Sequence, residues 1–401
     1  MAQTALAGVK VLEYAQMVSG PYCSKLLADL GAEAIKIEEP GVGDEARRRE
    51  PFPNDIPHPE KSGLFLYLNS NKLGITLNLQ TTTGRAIFEE LIKGTDVLIE
   101  DNRPSAMKEL RMDYESLAEV NPRLIMASIT PFGQTGPYRD YKAYPLNSYH
   151  GSGSASILAD IVPGEIERPV KGGGYLGDYD SGLCAAAAVV GALYRRLFTG
   201  VGQHIDVSKQ EALLSLERVE IGRYAMGDSR STVSVQRMVG GLHRCKDGYV
   251  VITIPMQHQW EALAKLIGKP EWIKEESYKD EFARAAHAEE LNARIGEWMI
   301  NHTKDEIYHR GQELSCPIGA ISTAEELLNS EQLKARDFFM EVDHPKIGRV
   351  KFPAAPYRFS KTPWRLERPA PLLGEHNEEI YRRRLGYTKE DLVRMRAAGT
   401  I

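Results

Sequence analysis

The sequence predicts an α/β protein with a Rossmann-like, mostly parallel sheet in its large domain and a smaller α+β domain. In the first half of the chain, short β-branched strands alternate with helical segments. This is the pattern of βαβ units, whose right-handed crossovers make the strands parallel neighbours. Near residue 246 the pattern changes to KDGYVVITIP, an Asp-Gly turn beside a strand, followed by helical segments. We therefore expect a large domain over 1–225, a small domain over 238–322, and a segment 323–401 that returns to the large domain.

The first forty residues form one βαβ unit. Val9–Tyr14 is an apolar strand, the next apolar residues recur at helical spacing, and Ala34–Glu38 is a second strand. The turn after the first strand reads QMVSGP and lacks GxGxxG. Because the dinucleotide fingerprint would have to occur at this turn, an NAD enzyme is disfavoured.

The alternation continues to about residue 130. Gly41–Lys61 is rich in proline and charged residues. It is too long for a plain connection, which indicates a loop that covers part of the structure. Leu64–Leu68 and Ile75–Leu79 are predicted as strands, as are the segments DVLIE, which ends at Glu100, and LIMASIT, which ends at Thr130. Ligands of such sheets gather beyond the carboxyl ends of the strands.

Lys171–Leu193, KGGGYLGDYDSGLCAAAAVVGAL, is the stretch around which the chain is organised. Its glycines and two aspartates lead into a small-residue helix. Asp178 is the candidate reacting group, since a carboxylate can attack an activated acyl group and helix N–H groups favour its ionised form. On these residues alone, helix capping by Asp178 or Asp180 is the competing interpretation.

Composition and charge limit the kinds of partner and site that we expect in this protein. Hydrophobic residues are 42%, charged residues 26%, and the net charge is -5, so neither nucleic acid nor a membrane is an expected partner. The N-terminus has no signal-peptide pattern, and we expect a cytoplasmic protein. The four cysteines lie far apart without a CxxC, which predicts free thiols and no metal site. His150 precedes GSGS, but no GxSxG elbow supports a hydrolase triad.

Eight motifs occur in an order that is specific to one family. They are LAGVKVLEYAQMVSGPYCSKLLADLGAEAIKIE, NSNK, EDNRPSAM, GDYDSGLCAA, TGVGQHIDVS, CKDGYVVITI, CPIGAI and APLLGEH. Together they resemble the class III CoA-transferase family, the group of formyl-CoA transferase and carnitine CoA-transferase, over essentially the whole chain.

The resemblance implies an interlocked dimer and a mechanism. Asp178 matches the family's nucleophile, which forms an acyl anhydride and then an aspartyl-CoA thioester. Coenzyme A thioester is then a substrate, and no prosthetic group is needed. In this interpretation Asp180 is the helix cap, and the glycines, Gly177 included, leave room for the thioester.

The related α-methylacyl-CoA racemases are the alternative, because they share the fold and the aspartate. In the racemases the aspartate works with a histidine, and this chain has Tyr144 at the position of that histidine. A CoA-binding subunit without chemistry is a third hypothesis, against which the retained Asp178 argues. Relative to formyl-CoA transferase, Val18 replaces a glutamine, Pro145 a glutamate and Leu64 a tyrosine. These changes predict a more apolar acyl pocket, poorly suited to formyl or oxalyl groups.

Other positions follow from the same resemblance. Lys142 and Arg103 are expected near the CoA phosphates or adenine, with Asp101 beside them, and Gly240-Gly241 is a shortened form of the loop that covers the intermediate. Glu39 replaces a family arginine, for which we expect Arg47 and Arg48 to compensate. The substrates implied are succinyl-CoA as donor and an aryl-substituted acid such as benzylsuccinate as acceptor, in a homodimer or a hetero-oligomer with a related subunit.

Overall fold

The computed structural model describes residues 4–155, 170–227 and 239–401. Its contacts divide the chain into two units, Met1–Ser229 with Asp337–Ile401, and Arg230–Arg336. The second unit thus extends beyond residue 322, and the chain returns to the first unit at Asp337.

The first unit is built on a six-stranded parallel sheet in the order β3-β2-β1-β4-β5-β6. This is the strand order of doubly wound, Rossmann-like sheets, and it confirms the predicted fold class. The strands are β1 (Lys10–Tyr14), β2 (Glu33–Glu38), β3 (Lys72–Thr76), β4 (Val97–Glu100), β5 (Ile125–Thr130) and β6 (Gln203–Ser208).

Helices cover both faces of the sheet. They are α1 (Ser19–Asp29), α2 (Gly63–Leu68), α3 (Thr82–Lys93), α4 (Pro104–Glu109), α5 (Tyr114–Val120), α6 (Pro145–Gly151), α7 (Leu176–Thr199), α8 (Lys209–Leu214) and α9 (Arg218–Ala225). Successive strand residues point to opposite faces. Val11 therefore packs with α1 and α7, whereas Leu12 packs with α3 and α5.

The second unit has its own core. Strands β7 (Gly240–Cys245), β8 (Gly248–Thr253) and β9 (Ile318–Ala320) form an antiparallel sheet. Trp260 and Trp272 stack inside its core, with ring centroids 5.8 Å apart. Its helices are α10 (Gln257–Leu266), α11 (Glu281–Ala286), α12 (Ala288–Met299), α13 (Lys304–Glu313), α14 (Ala324–Asn329) and α15 (Glu331–Ala335).

The C-terminal segment completes the first unit. It contains the hairpin β10 (Phe339–His344) and β11 (Gly348–Pro353), a π-helical segment Glu378–Arg384, and α16 (Lys389–Ala397). The Tyr381 hydroxyl donates to the Thr76 carbonyl at 2.6 Å, and the ring is fully buried in the core beneath β3. The chain end thus closes the β3 side of the sheet.

The prediction of a strand at Leu64–Leu68 is wrong, because these residues form α2. The Ser62 side chain accepts a hydrogen bond from the Phe65 backbone N–H and caps this helix. Leu64, Phe65, Leu66 and Leu68 are all buried. A short segment buried on every side gives the same apolar run whether it is a helix or a strand, so periodicity could not separate the two.

A cluster of four buried charges lies under the carboxyl ends of β1 and β2. The Lys36 ammonium is 2.7 Å from a Glu13 carboxylate oxygen and 2.8 Å from an Asp44 oxygen, and Lys72 is 2.7 Å from Glu13. All four side chains are fully buried. Burial alone would raise the pKa of Glu13, but the two ammonium groups outweigh burial and hold that pKa at about 2. Glu13 therefore stays ionised at neutral pH, whereas burial lowers the pKa of Lys72 to about 8.

We predict that Lys36→Met lowers the free energy of unfolding by about 3–5 kcal/mol, because it leaves the buried Asp44 carboxylate without its cation and Glu13 with Lys72 alone. Lys351→Met is the matched control, since the Lys351–Glu341 pair lies on the surface and such pairs contribute less than about 1 kcal/mol. Urea unfolding of both variants measures the difference. Equal losses of stability would contradict this role for the cluster.

Candidate active site

A cavity of about 590 Å³ opens at the carboxyl edge of the parallel sheet. The loops that follow β1, β4 and β5 supply much of its wall, together with the starts of α6, α7 and α8. Its lining includes Gln16, Met17, Val18, Glu45, Arg49, Asp101, Asn102, Arg103, Thr130, Arg139, Lys142, Ala143, Tyr144, Pro145, Tyr175, Asp178 and Lys209. This is the edge at which doubly wound folds bind their ligands.

Asp178 lies in the first turn of α7 and is 6% exposed. The helix begins at Leu176 after Tyr175, which makes no side-chain cap. The prediction that Asp180 caps the helix is therefore wrong, because Asp180 lies inside it. The wall of the cavity thus presents the Asp178 carboxylate from a helix start.

Two side chains donate to one oxygen of this carboxylate. The Lys209 ammonium lies 2.9 Å from Asp178 Oδ1, and the Ser19 hydroxyl lies 3.1 Å from the same atom. Lys209 is the first residue of α8, directly after β6, and Ser19 is the first residue of α1. Neither residue was predicted from the sequence. The only available signal was a lysine placed at the carboxyl end of a predicted strand.

The glycines near Asp178 allow neighbouring elements to approach closely. A Cβ on Gly177 would lie 2.7 Å from the Leu213 side chain of α8, and a Cβ on Gly182 would lie 2.6 Å from the Ser19 carbonyl oxygen. Gly177 does not line the cavity. Its missing side chain makes room for α8 and not, as the sequence suggested, for a ligand.

Most of the other predicted site residues do line the cavity. Val18 is buried in its wall, and Tyr144 stands at the start of α6 with its ring exposed. Asp101, Arg103 and Lys142 also lie on the wall. Leu64 does not line the cavity; it packs in a buried apolar cluster that also contains Val18.

Gly240 and Gly241 begin β7 in the second unit. Both have positive φ, 107° and 81°, and the Gly240 N–H donates to the Asn292 side chain at 2.8 Å. A Cβ on Gly240 would lie 2.8 Å from the Ile252 carbonyl oxygen. Close strand pairing therefore explains Gly240, and the covering role of this pair stays a prediction.

Arg47 cannot replace the missing family arginine. Its guanidinium is buried and lies 2.7 Å from Glu38 and 2.6 Å from Glu60. Arg48 donates to the Val42 carbonyl and does not line the cavity. The basic groups that do face the cavity are Arg49, Arg103, Arg139, Lys142 and Lys209.

Two acidic side chains at the end of β4 have raised pKa values. Burial raises the pKa of Glu100 to about 7. Desolvation likewise raises the pKa of Asp101 to about 7, although Lys209 and the Gln16 N–H favour its ionised form. The cavity wall near Asp101 thus gains negative charge as the pH rises through neutrality.

Among residues 4–155, 170–227 and 239–401, no group of three histidine, cysteine or acidic side chains could hold a metal ion. All four cysteines are free. In the same ranges α7 alone has the length and apolar composition of a membrane-crossing helix. One face of this helix packs on α1 and the sheet through Ala185, Ala186 and Val189.

Comparison with known proteins identifies the family. The model of CoA-transferase family III matches residues 6–377. Formyl-CoA:oxalate CoA-transferase from Rhodopseudomonas palustris strain BisB18 is 32% identical, over 99% of this chain and 97% of the relative. The enzyme of the same name from Bradyrhizobium sp. strain ORS 278 is 33% identical with the same coverage.

Solved structures agree with this assignment. A CAIB/BAIF family protein from Brucella suis matches with a TM-score of 0.83 and 30% identity, covering 95% of this chain and 99% of that one. Rv3272 from Mycobacterium tuberculosis matches with a TM-score of 0.79 and 26% identity, covering 94% and 99%. Because the family model and these relatives span nearly the whole chain, the protein belongs to CoA-transferase family III and is a CoA-transferase.

Proposed function

We propose that Asp178 is the nucleophile with which this enzyme moves coenzyme A from an acyl-CoA to a carboxylic acid. The observation that carries the proposal is a carboxylate in an ion pair at the wall of a large cavity, at the ligand-binding edge of the sheet. A carboxylate is a competent nucleophile towards a thioester, because the anhydride it forms divides one difficult exchange into easier steps.

The route balances without a metal or a redox step. Asp178 attacks the acyl carbonyl, the carbon–sulfur bond breaks, and CoA leaves as a thiolate. The thiolate then attacks Cγ of Asp178, which releases the first acid as a carboxylate and leaves an aspartyl-CoA thioester. The acceptor carboxylate attacks Cγ of this thioester and expels the CoA thiolate, which gives a second anhydride. The thiolate then attacks the acceptor's carbonyl carbon, so that the new acyl-CoA forms and the Asp178 carboxylate is released.

The racemase alternative is not favoured by the family match or by the relatives. Tyr144, the residue in place of the racemase histidine, lines the cavity. A phenol offers no basic ring nitrogen, so Tyr144 does not supply the second proton-transfer group that the racemase histidine provides.

We predict that hydroxylamine or borohydride, added during reaction with acyl-CoA, modifies Asp178 in a form that mass spectrometry locates. Asp178→Ala should lose at least about 10⁴-fold in rate and show no adduct, because no other carboxylate replaces the nucleophile. Asp180→Asn, two residues along the same helix, is the control that keeps transfer. An active Asp178→Ala variant would refute the route.

For the CoA moiety, we propose contacts from Arg103 and Lys142. Both are exposed on the cavity wall, and the nearby Arg49 and Arg139 add positive charge. A group of cations suits the phosphates of a nucleotide. Asp101, at the end of β4, is the proposed polar partner among them.

For the acyl groups, we propose succinyl-CoA as donor and an aryl-substituted acid such as benzylsuccinate as acceptor. Val18, Ala143, Tyr144, Pro145 and Tyr175 give the cavity an apolar and aromatic surface. Such a surface binds a ring better than a small polar acid. The formyl and oxalate groups in the relatives' names are the competing substrates.

A panel of formyl-, oxalyl- and succinyl-CoA against oxalate, succinate and benzylsuccinate tests this choice. We expect kcat/KM for benzylsuccinate to exceed that for succinate by roughly 30-fold, because burying about 80 Å² of ring carbon contributes about 2 kcal/mol. A preference for oxalate with formyl-CoA would overturn the substrate assignment and leave the CoA-transferase activity intact.

We also propose that the chain works as an interlocked dimer, with itself or with a related subunit. Leu183, Tyr194, Leu197 and Phe198 on α7 are each more than half exposed. Large exposed apolar patches mark association surfaces. The cytoplasmic location inferred from the sequence stays a prediction.

Light scattering should give twice the chain mass of 44.8 kDa, unchanged on dilution to nanomolar concentration, because threaded chains separate only by partial unfolding. A stable monomer from the chain expressed alone would contradict the homodimer. Recovery of a dimer on co-expression with a related subunit would then favour the hetero-oligomer.

A further inference from the structure

Both donors to Asp178 bind the same carboxylate oxygen, an arrangement that the role of nucleophile does not require. The Ser19 hydroxyl and the Lys209 ammonium both bind Oδ1, at 3.1 Å and 2.9 Å. No side chain or backbone N–H of the described residues hydrogen-bonds to Oδ2. The two carboxylate oxygens are therefore in different environments, one held by two donors and one open to attack a substrate.

Both donors are fixed by packing, without help from a ligand. Ser19 is fully buried at the start of α1, and its carbonyl oxygen lies where Gly182 of α7 has no side chain. Lys209 begins α8, whose N-terminus is capped by the Ser208 side chain. Gly177 lets Leu213 of the same helix approach α7. Donors that are already in place cost no reorganisation when charge develops on their partner atom.

We propose that Ser19 and Lys209 form the oxyanion site for the reactions at Cγ of Asp178, an inference that rests on the aspartyl route proposed above. Oδ2 attacks the acyl-CoA and becomes the bridging oxygen of the anhydride. Oδ1 stays the carbonyl oxygen, held by both donors. When the CoA thiolate attacks Cγ, the sulfur–carbon bond forms and the carbonyl electrons move onto Oδ1.

The tetrahedral intermediate then collapses without any proton transfer. The Cγ–Oδ2 bond breaks, the first acid leaves as a carboxylate that carries Oδ2, and Oδ1 returns to a carbonyl oxygen. Lys209 stays an ammonium group throughout. Attack by the acceptor carboxylate on the thioester places negative charge on the same oxygen, so the same two donors stabilise both reactions at Cγ.

The two donors should affect the steps of the reaction unequally. Ser19 and Lys209 contact the oxygen of Asp178, whereas anhydride formation develops charge on the oxygen of the substrate's acyl group. Removing the donors should therefore slow formation and cleavage of the aspartyl-CoA thioester more than formation of the anhydride. A residue that only positions Asp178 would slow all steps alike.

Hydroxylamine partitioning measures this difference. Trapping of the anhydride at its acyl carbon gives a free acyl hydroxamate, and trapping of the thioester gives an aspartyl hydroxamate on Asp178. Background from acyl-CoA itself is subtracted with Asp178→Ala. We expect Lys209→Met to lower kcat by about 10²–10³, the usual effect of losing one oxyanion donor. The ratio of aspartyl to acyl hydroxamate should fall at least about tenfold.

Three further variants show whether the effect of Lys209→Met reflects a folding defect. Ser19→Ala should shift the ratio in the same direction, and Lys209→Arg should restore part of it. Lys93→Met, which removes an exposed lysine at the end of α3, should leave rate and ratio unchanged. Thermal melts confirm that each variant is folded.

The outcomes separate the two proposals. If Lys209→Met and Ser19→Ala slow turnover but leave the ratio as in the native enzyme, the oxyanion assignment is overturned while the aspartyl route stands. If the native enzyme yields neither adduct above background, the aspartyl route itself is overturned, and this assignment with it.

Discussion

The buried charge cluster of Glu13, Lys36, Asp44 and Lys72 holds the edge of the sheet on which the cavity depends. Lys36 also donates to the Ala15 carbonyl at 2.9 Å, and Asp44 accepts from the Met17 N–H at 2.9 Å. Met17 has a left-handed backbone, with φ of 62°. The ionic contacts therefore fix the strained loop between β1 and α1, whose residues line the cavity and end at Ser19.

Asp178 depends on that loop, although it lies some 160 positions further along the chain. Ser19 contacts it from α1, and Lys209 contacts it from α8. The far end of α7 is anchored as well, since Arg196 lies 2.7 Å from Asp96 and donates to the Arg123 carbonyl at 2.9 Å. Contacts at both ends of α7 thus position its first turn beside the sheet.

The cavity combines two kinds of surface, one charged and one apolar. Cationic side chains lie with Asp101 on part of the wall, while Val18, Tyr144 and Pro145 supply apolar and aromatic surface. The pKa of about 7 for Asp101 adds a charge that changes near neutrality. Rising pH makes this wall more negative, and under the CoA contacts proposed above this charge opposes binding of the anionic ligand.

The sequence by itself determined the α/β class with its mostly parallel sheet and the family, and it singled out Asp178, whose role as nucleophile is proposed above. Strand and helix periodicity follow from local side-chain patterns, and Asp178 stands in a motif that the chain order makes specific. Tertiary structure decided the rest. Leu64–Leu68 lies in a helix that the Ser62 side chain caps. The Arg47 guanidinium is held by Glu38 and Glu60, and the missing side chain of Gly177 lets Leu213 approach. Ser19 and Lys209 meet at one oxygen only because parallel strands bring their carboxyl ends to a common edge, a contact between residues 190 positions apart that no local pattern encodes.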